Sequence, residues 1–324
     1  MQNRNFRRIE TNGITLRAVV EGEGPLVVFV HGWPESWYSW RHQIDPVAGA
    51  GHRVCALDVR GYGESDCPEA IEAYAMTELT ADVVGVIEAL GEEQAILVGH
   101  DWGAPIVWQT ALLHPERVRA VCGLSVPHLA RGPIKPMDMW KQIYQDVFFY
   151  QLYFQEPGKA EAELEADIPA SLRKTYFSGC AAAAALDRTF LTEKKKDARF
   201  LDGLVDPDPL PDWLRPEDID YYASQFEKAG FRGGLNRYRN QDRDWEQLPQ
   251  LAELKVEQPA LFIAGELDPV LAFVPGISLL DLMDAHYTDL RGKTLVADAG
   301  HWVQQEKPDE VNRALLEFLE GLGA

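Results

Sequence analysis

Short apolar runs alternate with segments of helical spacing over the first third of the chain. The runs have the composition of strands buried on both faces of a sheet, and they occupy residues 14–20, 26–30, 53–57, 95–98 and 118–124. Residues 77–90 repeat apolar side chains at helical spacing, with Thr77 as candidate N-cap and Gly91 as the stop. Residues 104–113 form the next predicted helix. Strands alternating with helices predict an α/β fold with a mostly parallel, twisted sheet covered on both faces.

The alternation stops near residue 130 and returns near residue 260. Between them lie aromatic-rich segments of helical spacing, at residues 139–154, 160–164, 169–185 and 216–228, with a proline-rich connection at 206–211. Strand-like runs then follow at residues 260–264 and 294–297, and a helix at 308–322. This order predicts an α/β core in two parts, 1–129 and 248–324, separated by an inserted α-helical cap at 130–247.

Composition and charge narrow the class of protein further. The 324 residues carry a formal net charge of −20, which would repel nucleic acid and argues against such a partner. No run approaches the roughly 20 apolar residues of a membrane span. Residues 1–9 are polar and arginine-rich, so no secretory signal is expected. Widely spaced Cys55, Cys67, Cys122 and Cys180 favour free thiols in a reducing cytoplasm over disulfides or a zinc site.

The strand at residues 95–98 runs directly into Gly99-His100-Asp101-Trp102-Gly103, and a helix follows. A sharp strand-to-helix turn lifts its central side chain above the sheet and leaves room only for small residues two positions before and after it. By itself the pattern also fits a turn with a helix-capping aspartate. Its place between a strand and a helix favours a nucleophile elbow with Asp101 as the nucleophile.

A second motif, His31-Gly32-Trp33-Pro34, lies at the end of an earlier strand. In hydrolases with a nucleophile elbow, a loop at this place donates one oxyanion N–H, and the residue after the nucleophile donates the other. The candidate donors are therefore the backbone amides of Trp33 and Trp102. We interpret His31, Gly32 and Pro34 as residues that support this loop.

Two further strand ends carry an acid and a histidine. Asp268, preferred here to Glu266, follows the strand at 260–264 and could orient a histidine ring. His301 follows the next strand, in Ala299-Gly300-His301-Trp302, and is the candidate general base. The chain order nucleophile, acid, base is that of elbow hydrolases.

Taken together, these motifs make the chain resemble the soluble-type epoxide hydrolases of the α/β-hydrolase fold over nearly its whole length. The matching stretches are HGWPES at 31–36, RGYGES at 60–65, GHDWG at 99–103, YQLYFQEPG at 150–158, GGLNRYRN at 233–240 and GHW at 300–302. The resemblance implies that the two stretches in the insertion each supply one tyrosine that hydrogen-bonds the epoxide oxygen. These map to Tyr153 and Tyr238. It also implies that Pro34 follows a cis peptide bond.

The chemistry of these residue types suits epoxide opening. Asp101 is ionised at neutral pH and can attack carbon to form an alkyl ester, while two phenols can donate to the departing oxygen. His301, oriented by Asp268, can then activate the water that cleaves the ester and releases a vicinal diol. No cofactor is required, and neither a phosphate-binding glycine motif nor a zinc spacing occurs in the sequence.

Other readings of the same motifs stay open at this point. A haloalkane dehalogenase would use the same Asp, His and Asp, but it usually has asparagine where this chain has Trp33, and it lacks the paired tyrosines. An esterase would need serine at the elbow. A non-catalytic ligand-binding protein should lack one member of the triad. The aromatic insertion indicates an apolar pocket and hence a small lipophilic epoxide, with water, as the substrates; the oligomeric state is left open between monomer and homodimer.

Overall fold

The computed structural model describes residues 4–323, which form an α/β fold around one eight-stranded sheet. The strands are β1 Phe6–Thr11, β2 Ile14–Glu21, β3 Leu26–Val30, β4 Arg53–Leu57, β5 Ala95–His100, β6 Val118–Leu124, β7 Ala260–Gly265 and β8 Leu290–Val296. Their order in the sheet is β1-β2-β4-β3-β5-β6-β7-β8. The pairs β1–β2 and β2–β4 are antiparallel and all others are parallel. The predicted fold class is confirmed.

The polar N-terminus carries a strand that the sequence analysis did not predict. Residues 1–3 of the polar segment at 1–9 lie outside the described part of the chain. Within the rest, Phe6–Thr11 pairs with β2 along its whole length. Ile9 and Thr11 are buried, whereas Arg8 and Glu10 on the opposite face are exposed, so the strand has the alternation of an edge strand with one solvated face.

Fourteen α-helices lie within residues 4–323. They are α1 Ile44–Gly49, α2 Met76–Ala89, α3 Gly103–Leu113, α4 Pro136–Ile143, α5 Tyr150–Tyr153, α6 Lys159–Leu164, α7 Ile168–Gly179, α8 Ala181–Ala185, α9 Pro216–Ala229, α10 Arg232–Arg239, α11 Gln241–Gln247, α12 Leu279–Met283, α13 Val303–Glu306 and α14 Pro308–Glu320. Helices α4 to α11 all fall between β6 and β7, which are neighbours in the sheet. The inserted helices are therefore present, whereas the exact division at residues 130 and 247 stays a prediction.

Several helix ends differ from the predicted ones. The prediction that Thr77 caps α2 is wrong: Ala75 is the N-cap, and the Met76 N–H donates to Asp244 of the inserted helices at 2.8 Å. Gly91, with φ of +82°, follows the end of α2 as predicted. The predicted helix at 139–154 is two helices, α4 and α5, because the chain between them is extended at Phe149.

The central strands are buried on both faces. On β3, Val28 packs into the cluster on one face of the sheet, and Val27 and Phe29 pack into the cluster on the other. Full burial of side chains of this size stabilises the fold by about 1.5–3 kcal/mol each. The carboxyl ends of these rigid parallel strands therefore hold the loops that follow them in fixed places, which is where the candidate site lies.

Candidate active site

Asp101 stands on a strained turn between β5 and α3. Its φ is +49°, a left-handed conformation that costs a non-glycine residue about 1–3 kcal/mol. A Cβ on Gly99 would lie 2.1 Å from the Gly103 carbonyl oxygen, and one on Gly103 would lie 1.9 Å from that of Val30. Both flanking positions thus admit only glycine, as the elbow interpretation requires.

One carboxylate oxygen of Asp101 is held by the backbone after β3. The Trp33 N–H donates to Asp101 Oδ1 at 2.7 Å. A Cβ on Gly32 would lie 2.4 Å from the same oxygen and 2.7 Å from the amide nitrogen of Trp102. Both predicted amides therefore border one small space around Oδ1. The Trp33–Pro34 peptide bond is cis, as the resemblance implied.

Gly32 provides the first prediction. Gly32→Ala should lower kcat/KM by at least roughly a hundredfold, because its methyl group would occupy the space of the oxyanion. Gly49→Ala is the matched control, since a Cβ there meets nothing within 4 Å. Steady-state kinetics on both variants, with thermal unfolding to check the fold, decide the matter. A folded Gly32→Ala enzyme with near-normal turnover would refute the assignment of this space.

His301 lies between two carboxylates. Its Nδ1 is 3.1 Å from both oxygens of Asp268, and its Nε2 is 3.3 Å from Asp101 Oδ2. All three side chains are buried. Burial alone would lower the pKa of His301, but the charges and hydrogen bonds of Asp268 and Asp101 raise that pKa well above 6.5. In the free protein the two carboxylates therefore favour the protonated form of the ring.

A second layer of buried polar groups supports this arrangement. His100 Nε2 lies 2.7 Å from the His301 carbonyl oxygen, and His100 Nδ1 lies 2.8 Å from Glu35 Oε2. Glu35 also accepts the Gly32 N–H at 2.7 Å. Burial opposes ionisation of Glu35, yet the charge of His100 and its hydrogen bond lower the Glu35 pKa to about 2. Glu35 and His100 stand inside recognised motifs, but their contact joins distant strands and no local pattern indicates it.

His31 has the supporting place that the sequence analysis expected. Its Nε2 accepts the Val59 N–H at 3.0 Å, and its Nδ1 lies 2.8 Å from the Gly32 carbonyl oxygen. Burial lowers the pKa of His31 to about 4, so the ring is neutral. It ties the loop after β3 to the chain after β4.

The two tyrosines that the resemblance named lie in different surroundings in the structure. The Tyr238 ring lies 5.1 Å from that of Trp102, and the charge of Asp101 adds to burial in raising the Tyr238 pKa. Tyr153 is only half-buried, its hydroxyl donates to Glu163 at 2.8 Å, and the Lys159 ammonium lies over its ring. The placement predicted for Tyr153 is wrong.

Tyr150, three residues earlier on α5, takes the place expected of Tyr153. Its ring is buried 5.9 Å from that of Tyr238. Burial, followed by the charge of Asp101, raises the Tyr150 pKa, so the phenol is neutral and able to donate. Tyr150 and Tyr153 lie in the same sequence motif, so the sequence pattern does not distinguish them. Only the packing of α5 does.

Comparison with known proteins gives independent evidence of the family. The profile of the alpha/beta hydrolase fold matches residues 25–308. Epoxide hydrolase A of Mycobacterium tuberculosis is 46% identical over 98% of this chain and 97% of its own. A solved epoxide hydrolase from an endophytic Streptomyces has a TM-score of 0.93 at 43% identity, covering 99% and 97% of the two chains. The crystal structure of epoxide hydrolase A from Mycobacterium thermoresistibile has a TM-score of 0.90 at 47% identity, covering 98% and 99%.

With its elbow, its strand order and these matches, the chain belongs to the α/β-hydrolase fold family. Within that family it is an epoxide hydrolase, an enzyme that adds water to an epoxide. Among residues 4–323, none of the helices has the length and apolar character of a membrane span.

Proposed function

We propose that hydrolysis proceeds through a covalent ester on Asp101, with His301 and Asp268 as base and orienting acid and with Tyr150 and Tyr238 as donors to the epoxide oxygen. The observation that carries this proposal is that the two carboxylate oxygens of Asp101 have different partners. Oδ1 accepts the Trp33 N–H, while Oδ2 faces His301. We therefore take Oδ2 as the oxygen that attacks carbon and Oδ1 as the oxygen that becomes the ester carbonyl.

In the first step, Oδ2 forms a bond to an epoxide carbon and the carbon–oxygen bond of the ring breaks. The oxygen leaves as an alkoxide, and the neutral phenols of Tyr150 and Tyr238 hydrogen-bond it and supply a proton. Formation of the ester removes the negative charge of Asp101. That charge is one of the groups that raise the His301 pKa, so His301 then gives up its proton. This release balances the proton that the alkoxide gains.

In the second step, neutral His301 takes a proton from water, and the oxygen of that water attacks Cγ of Asp101. Asp268, within 3.1 Å of Nδ1, stabilises the imidazolium that results. The negative charge collects on Oδ1, against the amides of Trp33 and Trp102. Collapse of this intermediate releases the diol and restores the carboxylate.

The surroundings of the site favour a lipophilic epoxide. The Trp33 ring packs edge-on against Phe154, Phe200 and Tyr238, with ring centroids 5.2 to 5.9 Å apart. Such walls exclude water and offer apolar surface with few polar groups.

We also propose a cytoplasmic location, which rests on four free cysteines that a reducing compartment would preserve.

A single turnover in H₂¹⁸O tests the covalent route. With enzyme in excess over styrene oxide, we expect diol free of ¹⁸O and one ¹⁸O atom on Asp101, because the diol oxygen comes from the carboxylate. Mass spectrometry of the diol and of the peptide containing Asp101 measures both. Labelled diol with an unlabelled peptide would show direct attack by water and contradict the ester. A 1-haloalkane offered in parallel should release no halide; release would support the dehalogenase alternative.

A further inference from the structure

The loop that carries His301 is hydrogen-bonded to the inserted helices. The His301 N–H donates to the Gly179 carbonyl oxygen at 2.8 Å, and the Trp302 indole N–H donates to that of Tyr176 at 2.7 Å. A Cβ on Gly300 would lie 2.5 Å from the Gly179 oxygen. The loop thus contacts the inserted helices through its backbone at Gly300 and His301 and through the indole of Trp302.

Glu306, the last residue of α13, connects these two segments with one carboxylate. Its Oε1 accepts the N–H groups of Gly300 and Trp302, both at 3.1 Å. Its Oε2 accepts the N–H of Ala181, the first residue of α8, at 2.9 Å. The carboxylate therefore binds the residues immediately before and after His301 and, at the same time, the turn between α7 and α8.

Several groups around Glu306 shift its pKa, and they act in opposite directions. Burial raises its pKa to about 7, the charge of Asp268 raises it too, and the three N–H donors lower it. An adjoining cleft of about 540 Å³ is lined by further charged and titratable groups, namely His42, Asp212, Arg215, Asp218, Asp298 and Lys307. Glu306 itself touches none of the reacting atoms.

We propose that Glu306 is a positioning residue for the second half-reaction, which holds His301 at the distance that water activation requires by tying its loop to the inserted helices. The inference rests on the covalent route proposed above. Attack by Asp101 on the epoxide needs the elbow and the tyrosines, whereas ester cleavage needs His301 at the right distance from the attacking water. Displacement of the His301 loop should therefore slow the second step and spare the first.

Glu306→Gln is the sharpest variant. The amide of glutamine has the same shape, and its oxygen can still accept the N–H groups of Gly300 and Trp302. Its nitrogen cannot accept the N–H of Ala181, so the connection to the inserted helices is lost together with the negative charge. We expect ester cleavage to slow by roughly tenfold to a hundredfold, the range that small misplacement of a catalytic group produces. Alkylation should stay within about twofold of wild type, so the ester on Asp101 accumulates.

Rapid mixing with styrene oxide, followed by intact-protein mass spectrometry, measures both steps separately. Glu310→Gln, an exposed acid in the first turn of α14, makes the same charge change away from the loop and should behave as wild type. Normal alkylation in Glu306→Gln also shows that the variant is folded. Wild-type ester cleavage in Glu306→Gln, or equal slowing of both steps with a lower Tm, would overturn the inference. If His301→Gln forms no ester either, the covalent route itself has failed, and the inference fails with it.

Discussion

Replacement of His301 by glutamine should stop turnover and leave Asp101 alkylated. Loss of a general base removes about 10²- to 10⁴-fold of rate from the step that needs it, and here that step is water attack on the ester. The first step does not need the imidazole base, so one equivalent of epoxide should add to each chain. Intact-protein mass spectrometry after incubation with styrene oxide should show a mass gain equal to the whole epoxide, located on the peptide containing Asp101.

Two companion variants make this result specific. His114→Gln, at the opposite end of α3 from the elbow, should turn over normally and carry no adduct. The double variant Asp101→Asn with His301→Gln should carry none, because the attacking oxygen is gone. An adduct that persists without Asp101, or rapid diol formation by folded His301→Gln, would refute the assignment of these two residues.

The double variant Tyr150→Phe with Tyr238→Phe should lose ring opening by at least roughly a thousandfold. An alkoxide is a poor leaving group unless it is hydrogen-bonded or protonated, and positioned donors contribute about 10²- to 10⁴-fold. Each single variant retains one phenol and should lose less. Because the defect lies in the first step, neither ester nor diol should form. Stopped-flow alkylation kinetics and diol assays measure both.

Tyr153→Phe is the matched control, since it removes the same atom from the same helix. The Tyr153 hydroxyl donates to Glu163 rather than facing Asp101, so turnover should remain close to that of wild type. The reverse outcome, a severe loss in Tyr153→Phe with normal alkylation in Tyr150→Phe, would mean that Tyr153, and not Tyr150, donates to the epoxide oxygen.

The elbow shows how much of a site local sequence can predict. The crowding at Gly99 arises within the stretch itself, because a Cβ there would meet the Gly103 carbonyl oxygen, whereas at Gly103 it comes from the Val30 carbonyl oxygen of a neighbouring strand. The turn after β3 that brings the Trp33 amide to Asp101 likewise lies within one short stretch. Each motif lies directly at the carboxyl end of a strand, and parallel strands bring such ends to one edge.

Contacts between distant segments could not be predicted in this way. The Met76 N–H is capped by Asp244 from the insertion, so no residue near α2 signals where that helix begins. Glu306 binds both the His301 loop and Ala181, a pairing for which sequence carries no local pattern.

The amino-acid sequence by itself determined the α/β fold class, the inserted helices and the order along the chain of candidate nucleophile, acid and base, namely Asp101, Asp268 and His301. It could do so because periodicity and strand-end motifs are properties of short stretches of chain. Only the tertiary structure decided which tyrosine of α5 joins Tyr238. Tyr150 and Tyr153 share one motif, and the packing of α5 against Phe273 on one side and the binding of Tyr153 to Glu163 on the other select Tyr150. That selection depends in part on Phe273, which is far from α5 in the chain and meets Tyr150 only in the folded protein.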